Sequence, residues 1–289
     1  MMLAEYVVAG RFRLVEAGID PEDAAFDAEA LARHLLAWDR ASYLARTRDA
    51  VPAWFPARYS QWIERRTRRE PVSQILGHRE FWGLDFEVTR DVLTPRPESE
   101  LIVEEALACA SAARASGGTV RSIVDVGTGS GCLAICLARE LPGARILATD
   151  TSSAALAVAR RNAERHGLGS RVALVRSSLA DAIAGPVDLV VSNPPYAADA
   201  DLAALPPEVR DFEPQVAIAG GPDGLDVIRR LLTQSARVLA GGGWLVFEFG
   251  AGQEGTVRAA IAQQPSLALV RIRADLQGIP RTAVVRTMR

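Results

Sequence analysis

Residues 187–196 read Val-Asp-Leu-Val-Val-Ser-Asn-Pro-Pro-Tyr, an apolar run that ends abruptly at two prolines. A short valine- and leucine-rich run bounded by turn residues is typical of a buried parallel strand. Proline cannot donate a hydrogen bond to a strand ladder, so this strand must end at Asn193. Ligands bind at the carboxyl ends of the strands in open α/β sheets. The stretch therefore predicts an amide side chain, a rigid turn and an aromatic ring at a ligand-binding edge.

The turn after this strand has a definite hydrogen-bonding character. The side-chain carbonyl of Asn193 and the backbone carbonyl of Pro194 are two acceptors that can point the same way. A planar NH2 group complements them, because it carries two donors in one plane, and the Tyr196 ring can pack on its face. We therefore predict that Asn193, Pro194, Pro195 and Tyr196 bind the substrate, and that Asn193, Pro194 and Tyr196 are catalytic. The four residues alone would also fit a plain proline-rich turn.

Strand-like and helix-like patterns alternate from Arg121 onward, which predicts a parallel sheet with helices between its strands. The strands are expected over residues 123–126, 145–149, 172–175, 187–192, 244–249, 267–274 and 281–287. The helices are expected over residues 132–140, 152–166, 225–239 and 254–263. The glycines at 241–243 are expected to stop the third of these helices before the fifth strand begins.

The preceding part of the chain divides into two segments. Residues 1–70 carry helical signals, such as the start sequence Asp20-Pro21-Glu22, and predict a small domain of four or five helices. Residues 71–95 contain alternating apolar positions at 84–88, which predict a linking β-hairpin. Residues 96–289 then form the α/β domain.

Composition excludes several kinds of function. The 289 residues carry a net charge of −2, which gives no general electrostatic reason to bind nucleic acid or a membrane. Three cysteines argue against a disulfide framework, and Cys132 and Cys136 are expected to be small buried residues, so no metal is expected. No apolar run reaches membrane-spanning length. We expect a soluble, cytoplasmic monomer.

A cluster of four arginines closes the helical segment. As a solvated helix face it needs no partner, and this is the preferred interpretation; an acidic or RNA-bearing partner is the alternative. The cluster comprises Arg65, Arg66, Arg68 and Arg69.

A glycine-rich turn, Asp125-Val-Gly-Thr-Gly-Ser-Gly131, lies at the first predicted strand-to-helix junction. Glycines let the backbone adopt positive φ and approach a ligand closely. Asp150 ends the next strand, where a carboxylate suits the two hydroxyls of a ribose. The spacing is not that of a dinucleotide fingerprint but the form seen in S-adenosylmethionine enzymes. The positive sulfonium of that cofactor favours a nearby carboxylate, and Asp125 is expected to supply it.

Three of these features resemble the class I methyltransferases that modify planar NH2 groups: Asp125–Gly131, Asp150 and Asn193–Tyr196. Further stretches resemble one branch, the release factor glutamine methyltransferase family. They are Arg79-Glu-Phe-Trp-Gly-Leu84, Thr94-Pro-Arg-Pro-Glu98, Phe212-Glu-Pro214 and Gly220-Gly-Pro-Asp-Gly-Leu225. The resemblance implies an α/β fold, with a seven-stranded Rossmann-like methyltransferase domain preceded by a small all-helical domain and a linking β-hairpin. It also implies that the helical domain helps to grip the substrate protein.

The resemblance implies methyl transfer from S-adenosylmethionine, leaving S-adenosylhomocysteine, to the side-chain nitrogen N5 of a glutamine. That glutamine belongs to the Gly-Gly-Gln motif of class I peptide release factors, with no direct contact to nucleic acid. Ser178 and Leu179 stand where many relatives have an acid and an aromatic residue beside the adenine. Two alternatives stay open: a glutamine methyltransferase acting on a ribosomal protein, and an adenine N6 nucleic-acid methyltransferase. The implied cofactor-binding residues are Asp125, Gly127, Thr128, Gly129, Ser130, Gly131, Asp150, Leu179 and Asn193.

Overall fold

The computed structural model describes residues 2–288, which form two compact units. Unit 1 contains the described residues up to His78 together with Pro206–Phe212. Unit 2 contains Arg79–Leu205 and the described chain from Glu213 onward. Between residues 2 and 288, no helix is both long and apolar enough to cross a membrane.

Unit 1 is helical, as predicted. Its helices are α1 (Leu3–Glu16), α2 (Pro21–Leu36), α3 (Arg40–Arg46), α4 (Phe55–Thr67) and α5 (Val72–Leu76), with the short helix α9 (Pro207–Arg210) from later in the chain. The start of α2 has the expected chemistry, because the Asp20 carboxylate accepts a hydrogen bond from the Glu22 backbone N–H at 2.8 Å. The core of the unit is formed by buried aliphatic and aromatic side chains that include Leu14, Leu31, Phe55, Tyr59 and Ile63.

The arginine cluster at the end of α4 is only partly solvated. Arg66 is buried, and its guanidinium donates to Asp27 at 2.7 Å and to Glu208 at 2.8 Å. Arg69 donates to the other Glu208 oxygen at 2.9 Å. The remaining two arginines also have carboxylate partners within the unit: Arg65 with Glu70, and Arg68 with Glu64. The solvated-face prediction is wrong for Arg66 because its partners are distant in sequence.

Apart from His78, unit 2 contains the hairpin of β1 (His78–Phe81) and β2 (Leu84–Glu87). It also contains a seven-stranded sheet, which confirms the predicted fold class. The sheet strands are β3 (Ser122–Val126), β4 (Arg145–Asp150), β5 (Val172–Arg176), β6 (Val187–Ser192), β7 (Leu239–Glu248), β8 (Leu267–Ala274) and β9 (Pro280–Thr287). The helices are α6 (Glu100–Ala115), α7 (Cys132–Glu140), α8 (Ser153–Arg165), α10 (Asp226–Val238) and α11 (Glu254–Ala262). In the strand order β5-β4-β3-β6-β7-β9-β8, only the pairs that include β9 are antiparallel.

The strand order places the two predicted turns next to each other. From β3 the chain winds through β4 to β5 on one side, and β6 then returns to pair with β3 on the other side. The β3–β6 pairing is parallel and ends with Val126 opposite Ser192. The glycine turn and the Asn193 turn therefore leave adjacent strands at the same edge, which is the switch point where ligands bind in such sheets.

The glycines at 241–243 do not form the predicted break between helix and strand. Helix α10 ends at Val238, and β7 begins at Leu239 and continues through the glycines. Pairing with β6 shifts register between Val187 and Leu189, so these glycines form an irregularity inside the sheet. Gly242 has a φ of 75°, which a glycine adopts without strain.

The hairpin belongs to the core of unit 2. Phe81 and Phe86 are buried in the same hydrophobic cluster as residues of β3 and α7. The two compact units have other bounds than the three segments 1–70, 71–95 and 96–289, since most of the hairpin lies in unit 2 and Pro206–Phe212 lies in unit 1.

Candidate active site

The glycine turn after β3 uses its three glycines in two ways. All three have positive φ, at 72° for Gly127, 54° for Gly129 and 84° for Gly131. A methyl group added at Gly127 or Gly129 would meet nothing within 4 Å, whereas one at Gly131 would approach Ala159 and Ile135 at 3.1 Å. The first two glycines thus leave open space over the turn, and the third permits close packing of the turn against α7 and α8.

The buried side chain of Asp125 stabilises the glycine turn through hydrogen bonds. Its side chain is fully buried, and Oδ2 accepts hydrogen bonds from the Thr128 hydroxyl at 2.6 Å and the Ala134 backbone N–H at 3.1 Å. Oδ1 is buried and has no hydrogen-bond partner among residues 2–288. Burial raises the pKa of Asp125 from its ordinary 3.8 to about 7. The carboxylate does not line the cavity described below, and its hydrogen bonds go to the turn and to the start of α7.

Asp150 occupies the end of β4, beside the same turn. Its Oδ2 accepts from the Gly129 backbone N–H at 3.0 Å, and its Oδ1 accepts from the Ser152 backbone N–H at 2.9 Å. Unlike Asp125, Asp150 lines the cavity. Two backbone donors therefore hold an accessible carboxylate in one orientation.

A cavity of about 210 Å³ lies over the carboxyl ends of β3, β4 and β6. The predicted site residues that line it are Gly127, Thr128, Gly129, Ser130, Asp150, Leu179, Asn193 and Pro195. Gly131, Pro194 and Tyr196 lie outside the lining, as Asp125 does. Leu179 has a positive φ of 50°, and its carbonyl accepts from the Thr149 hydroxyl at 2.8 Å. Ser178 also lines the cavity and accepts from Arg230 at 2.8 Å.

The Asn193 turn is held by a buried chain of hydrogen bonds. Asn193 Nδ2 donates to Ser99 Oγ at 2.8 Å, and Ser99 Oγ donates to Glu248 Oε2 at 2.6 Å. The Tyr196 hydroxyl donates to the other oxygen, Glu248 Oε1, at 3.1 Å. No described residue donates to Asn193 Oδ1 or to the Pro194 carbonyl, so both acceptors are left for a ligand.

Sequence reasoning missed Ser99 and Glu248. The only local signal is an acidic residue at the end of an apolar strand, since Glu248 closes β7. Another missed residue is Glu213, which is buried and accepts from the Thr94 backbone N–H at 3.2 Å and from Arg96 at 2.6 Å. Thr94 and Arg96 line the cavity, so Glu213 fixes one of its walls.

The switch-point sheet, the open glycine turn and the amide turn on the adjacent strand define a class I methyltransferase. Family models agree: the Methyltransferase small domain matches residues 107–205, and the PrmC N-terminal domain matches residues 5–77. A release factor glutamine methyltransferase from Cereibacter sphaeroides is 42% identical over 99% of both chains. One from Geobacter sulfurreducens is 49% identical over 68% of this chain and 66% of its own. The chain belongs to the release factor glutamine methyltransferase family.

Solved structures share the fold at much lower identity. The hMettl16 catalytic domain in complex with MAT2A 3′UTR hairpin 6 is 19% identical, with a TM-score of 0.56 and 81% of each chain covered. The methyltransferase from Pyrococcus furiosus is 18% identical, with a TM-score of 0.52, over 77% of this chain and 98% of its own. These similarities show the fold alone.

The chain is a methyltransferase, and its cofactor is S-adenosylmethionine. The residues present fit that cofactor. Gly127 and Gly129 leave space where any side chain would fill the cavity, and Asp150 offers a fixed carboxylate to a diol. The aliphatic Leu179 provides an apolar surface on the same cavity.

Proposed function

We propose that this protein methylates the side-chain nitrogen N5 of the glutamine in the Gly-Gly-Gln motif of class I peptide release factors. The observation that carries the proposal is the hydrogen bonding of the Asn193 side chain. Its Nδ2 is committed to Ser99, so Oδ1 and the neighbouring Pro194 carbonyl stay available as a pair of acceptors. Such a pair complements a primary amide, and a relative that matches over 99% of both chains is named release factor glutamine methyltransferase.

The cavity supports a proposed role for each cofactor residue. Asp150 accepts hydrogen bonds from the ribose hydroxyls, and Leu179 packs against the adenine. Gly127, Thr128, Gly129 and Ser130 supply backbone surface, while Asp125 and Gly131 shape the turn. S-adenosylmethionine supplies an electrophilic methyl group when bound.

The protein activates the glutamine amide by orientation. An amide nitrogen is a poor nucleophile because its lone pair is delocalised into the carbonyl. Hydrogen bonds from its two N–H donors to Asn193 Oδ1 and the Pro194 carbonyl increase the electron density on nitrogen. They also hold the nitrogen in one position for in-line displacement.

The proton leaves after methyl transfer rather than before it. The sequence contains no lysine, and no histidine is among the described residues that line the cavity. Burial and the Glu248 carboxylate raise the pKa of the Tyr196 hydroxyl above its ordinary value, so this phenol stays neutral. Tyr196 therefore supports the turn and is not a base. The methylated nitrogen is far more acidic than the amide and releases its proton to water.

The helical segment 1–70 acts as the docking domain for the release factor, and the hairpin within 71–95 joins it to the catalytic segment 96–289. Exposed apolar side chains in unit 1 support this role. Val8 and Phe12 lie one turn apart on α1, with 53% and 66% of their surface exposed. Other exposed apolar side chains in the unit are Phe26, Leu44 and Trp54.

Phe12→Asp tests the docking role, with Leu276→Asp as a matched control because Leu276 is an exposed apolar residue of unit 2. The docking role requires the KM for whole release factor to rise in Phe12→Asp alone. Neither variant should change the KM for a Gly-Gly-Gln peptide. Equal KM values for release factor in the two variants would exclude α1 as the docking surface.

The substrate itself is tested by offering radiolabelled S-adenosylmethionine with purified release factor, ribosomes and DNA in parallel. Label should enter release factor only, and it should be lost when the glutamine of the Gly-Gly-Gln motif is replaced by alanine. Label in ribosomes or DNA but not in release factor would overturn the proposal. We also propose that the protein works as a cytoplasmic monomer. Its net charge of −2 supports the further proposal that it makes no direct contact with nucleic acid.

A further inference from the structure

Asn193 can present either of two opposite groups to its ligand. An asparagine amide carries an acceptor oxygen on one side and a donor NH2 on the other, in nearly the same shape. A substrate amide that donates two hydrogen bonds needs the oxygen facing it. The protein must therefore exclude the orientation in which the NH2 group faces the substrate.

Ser99 alone cannot make that choice. A hydroxyl both donates and accepts, so Ser99 could accept from Asn193 Nδ2 or donate to Asn193 Oδ1. The second partner of the hydroxyl decides between them. That partner is Glu248 Oε2 at 2.6 Å, and an ionised carboxylate only accepts. Ser99 must then donate to Glu248, and it can only accept from Asn193.

We propose that Glu248 is a positioning residue for methyl transfer, which acts through Ser99 to fix the acceptor oxygen of Asn193 toward the substrate amide. The inference rests on the proposed function, since it assumes that a primary amide occupies the site. Glu248 is 1% exposed and does not line the cavity, so it acts without touching the substrate.

The surroundings of Glu248 fit a role in setting the donor-to-acceptor direction of these hydrogen bonds. Burial raises the pKa of the Glu248 carboxyl, whereas the two hydroxyls that donate to it, Ser99 and Tyr196, and the nearby cation Arg281 favour its charged form. The neighbouring charge that opposes it is Glu98. Burying a carboxylate costs free energy that an apolar side chain in β7 would not cost. Both of its oxygens are used as acceptors, which a neutral amide could not provide.

The first test reads the Asn193 amide directly. The sequence contains only two asparagines, Asn162 and Asn193, so protein labelled with 15N-asparagine gives two side-chain NH2 signals. Asn162 is a built-in control, because it is buried and bonded to Glu87 and Ser130. Asn193→Ala assigns the signals by removing one of them.

The expected result is that Glu248→Gln moves the Asn193 signal upfield and leaves the Asn162 signal in place. The reason is that loss of the carboxylate weakens the Nδ2–H to Ser99 bond at the far end of the chain. Ser99→Ala should produce a larger movement, since it removes the acceptor itself. An unmoved Asn193 signal in Glu248→Gln would overturn the inference.

The second test measures single-turnover methyl transfer into release factor. Ser99→Ala and Glu248→Gln should each lower the rate about tenfold, as expected for loss of one ordered hydrogen bond. Cofactor affinity should not change. The double variant should be little slower than the slower single variant, because both residues act along one chain of hydrogen bonds. Thr282→Val is the matched control, with a rate equal to that of the unaltered protein, since Thr282 lies opposite Glu248 on β9 and its buried hydroxyl has no hydrogen-bond partner among residues 2–288.

A purely structural role predicts a different pattern. If Ser99 had only a structural role, the double variant Asn193→Ala with Ser99→Ala would transfer methyl more slowly than Asn193→Ala alone. Positioning through Asn193 predicts that the two rates differ by less than about twofold. The proposed function fails separately, if the unaltered protein transfers no methyl to release factor. A different result overturns only the positioning role. In that result the unaltered protein transfers methyl to release factor, and Ser99→Ala and Glu248→Gln transfer it as fast as the unaltered protein does.

Discussion

The two turns that meet at the switch point are built in different ways. The glycine turn after β3 is held mainly through backbone groups of β3 and its neighbour β4. Asp125 accepts hydrogen bonds from Thr128 and Ala134 within ten residues of chain. Thr149 and Asp150 at the end of β4 accept from backbone N–H groups of the turn. The Asn193 turn after β6 depends on Ser99 and Glu248, which come from other segments of the chain. The cofactor half of the site, which is the glycine turn with Asp150, is thus shaped mainly by backbone conformation. The substrate half, which is the Asn193 turn, is shaped by side chains from distant segments. Damage to the first should appear in cofactor affinity, and damage to the second in turnover.

Asn193→Ala is expected to have the largest effect on the substrate half. It removes the acceptor for one amide N–H, so the nitrogen can rotate away from the transfer axis. Losing one such preorganised hydrogen bond costs about 10²–10³ in turnover. Single-turnover methylation and calorimetry should show this loss with cofactor affinity largely retained. A rate within about threefold of the unaltered protein would remove Asn193 from the mechanism.

Asp150→Ala is the corresponding change on the cofactor half. It removes the proposed ribose acceptor and also leaves the backbone N–H groups of Gly129 and Ser152 without their partner. A hydrogen bond to a charged group contributes about 1.5–3 kcal/mol, so affinity for S-adenosylmethionine should fall about tenfold to a hundredfold. Calorimetry that finds unchanged affinity would contradict the assignment of this cavity to the cofactor.

Asp125→Asn distinguishes support of the turn from contact with the cofactor. Burial raises the folded-state pKa of Asp125 to about 7, so its contribution to stability is full below about pH 4 and is lost as pH rises through about 7. Urea unfolding should show that the free energy of unfolding falls less between pH 5 and pH 8 in Asp125→Asn than in the unaltered protein.

Cofactor affinity is the second measurement on Asp125→Asn. Because the side chain does not line the cavity, the affinity at pH 8 should be largely retained. A loss as large as that of Asp150→Ala would restore the direct contact predicted from the sequence.

Leu179→Trp should have the smallest effect. An indole ring stacked on the adenine would gain about 0.5–1.5 kcal/mol over an aliphatic contact, so binding should tighten modestly. The residue already has a left-handed backbone and a fixed carbonyl, so the ring replaces one side chain on an unchanged turn. Weaker binding, with an unchanged circular dichroism spectrum, would place the adenine elsewhere in the cavity.

The Arg66 and Gly241–Gly243 predictions failed for one reason. A run of arginines looks solvated, and three glycines look like a break, when only neighbours in sequence are considered. Arg66 is buried because Asp27 and Glu208 come from remote positions. The glycines remain in β7 because β6 and β9 pair on either side of that strand. Both outcomes depend on contacts that local pattern cannot report.

The sequence by itself determined the features that depend on local backbone chemistry. Two prolines end β6 at Asn193, positive φ requires glycines after β3, and alternation of strand and helix predicts the sheet. Only the tertiary structure decided which way Asn193 presents its amide, since that depends on Ser99 and Glu248. The physical reason is that hydrogen-bond direction along a buried chain is set by its terminal acceptor, and β7 brings that acceptor to the site.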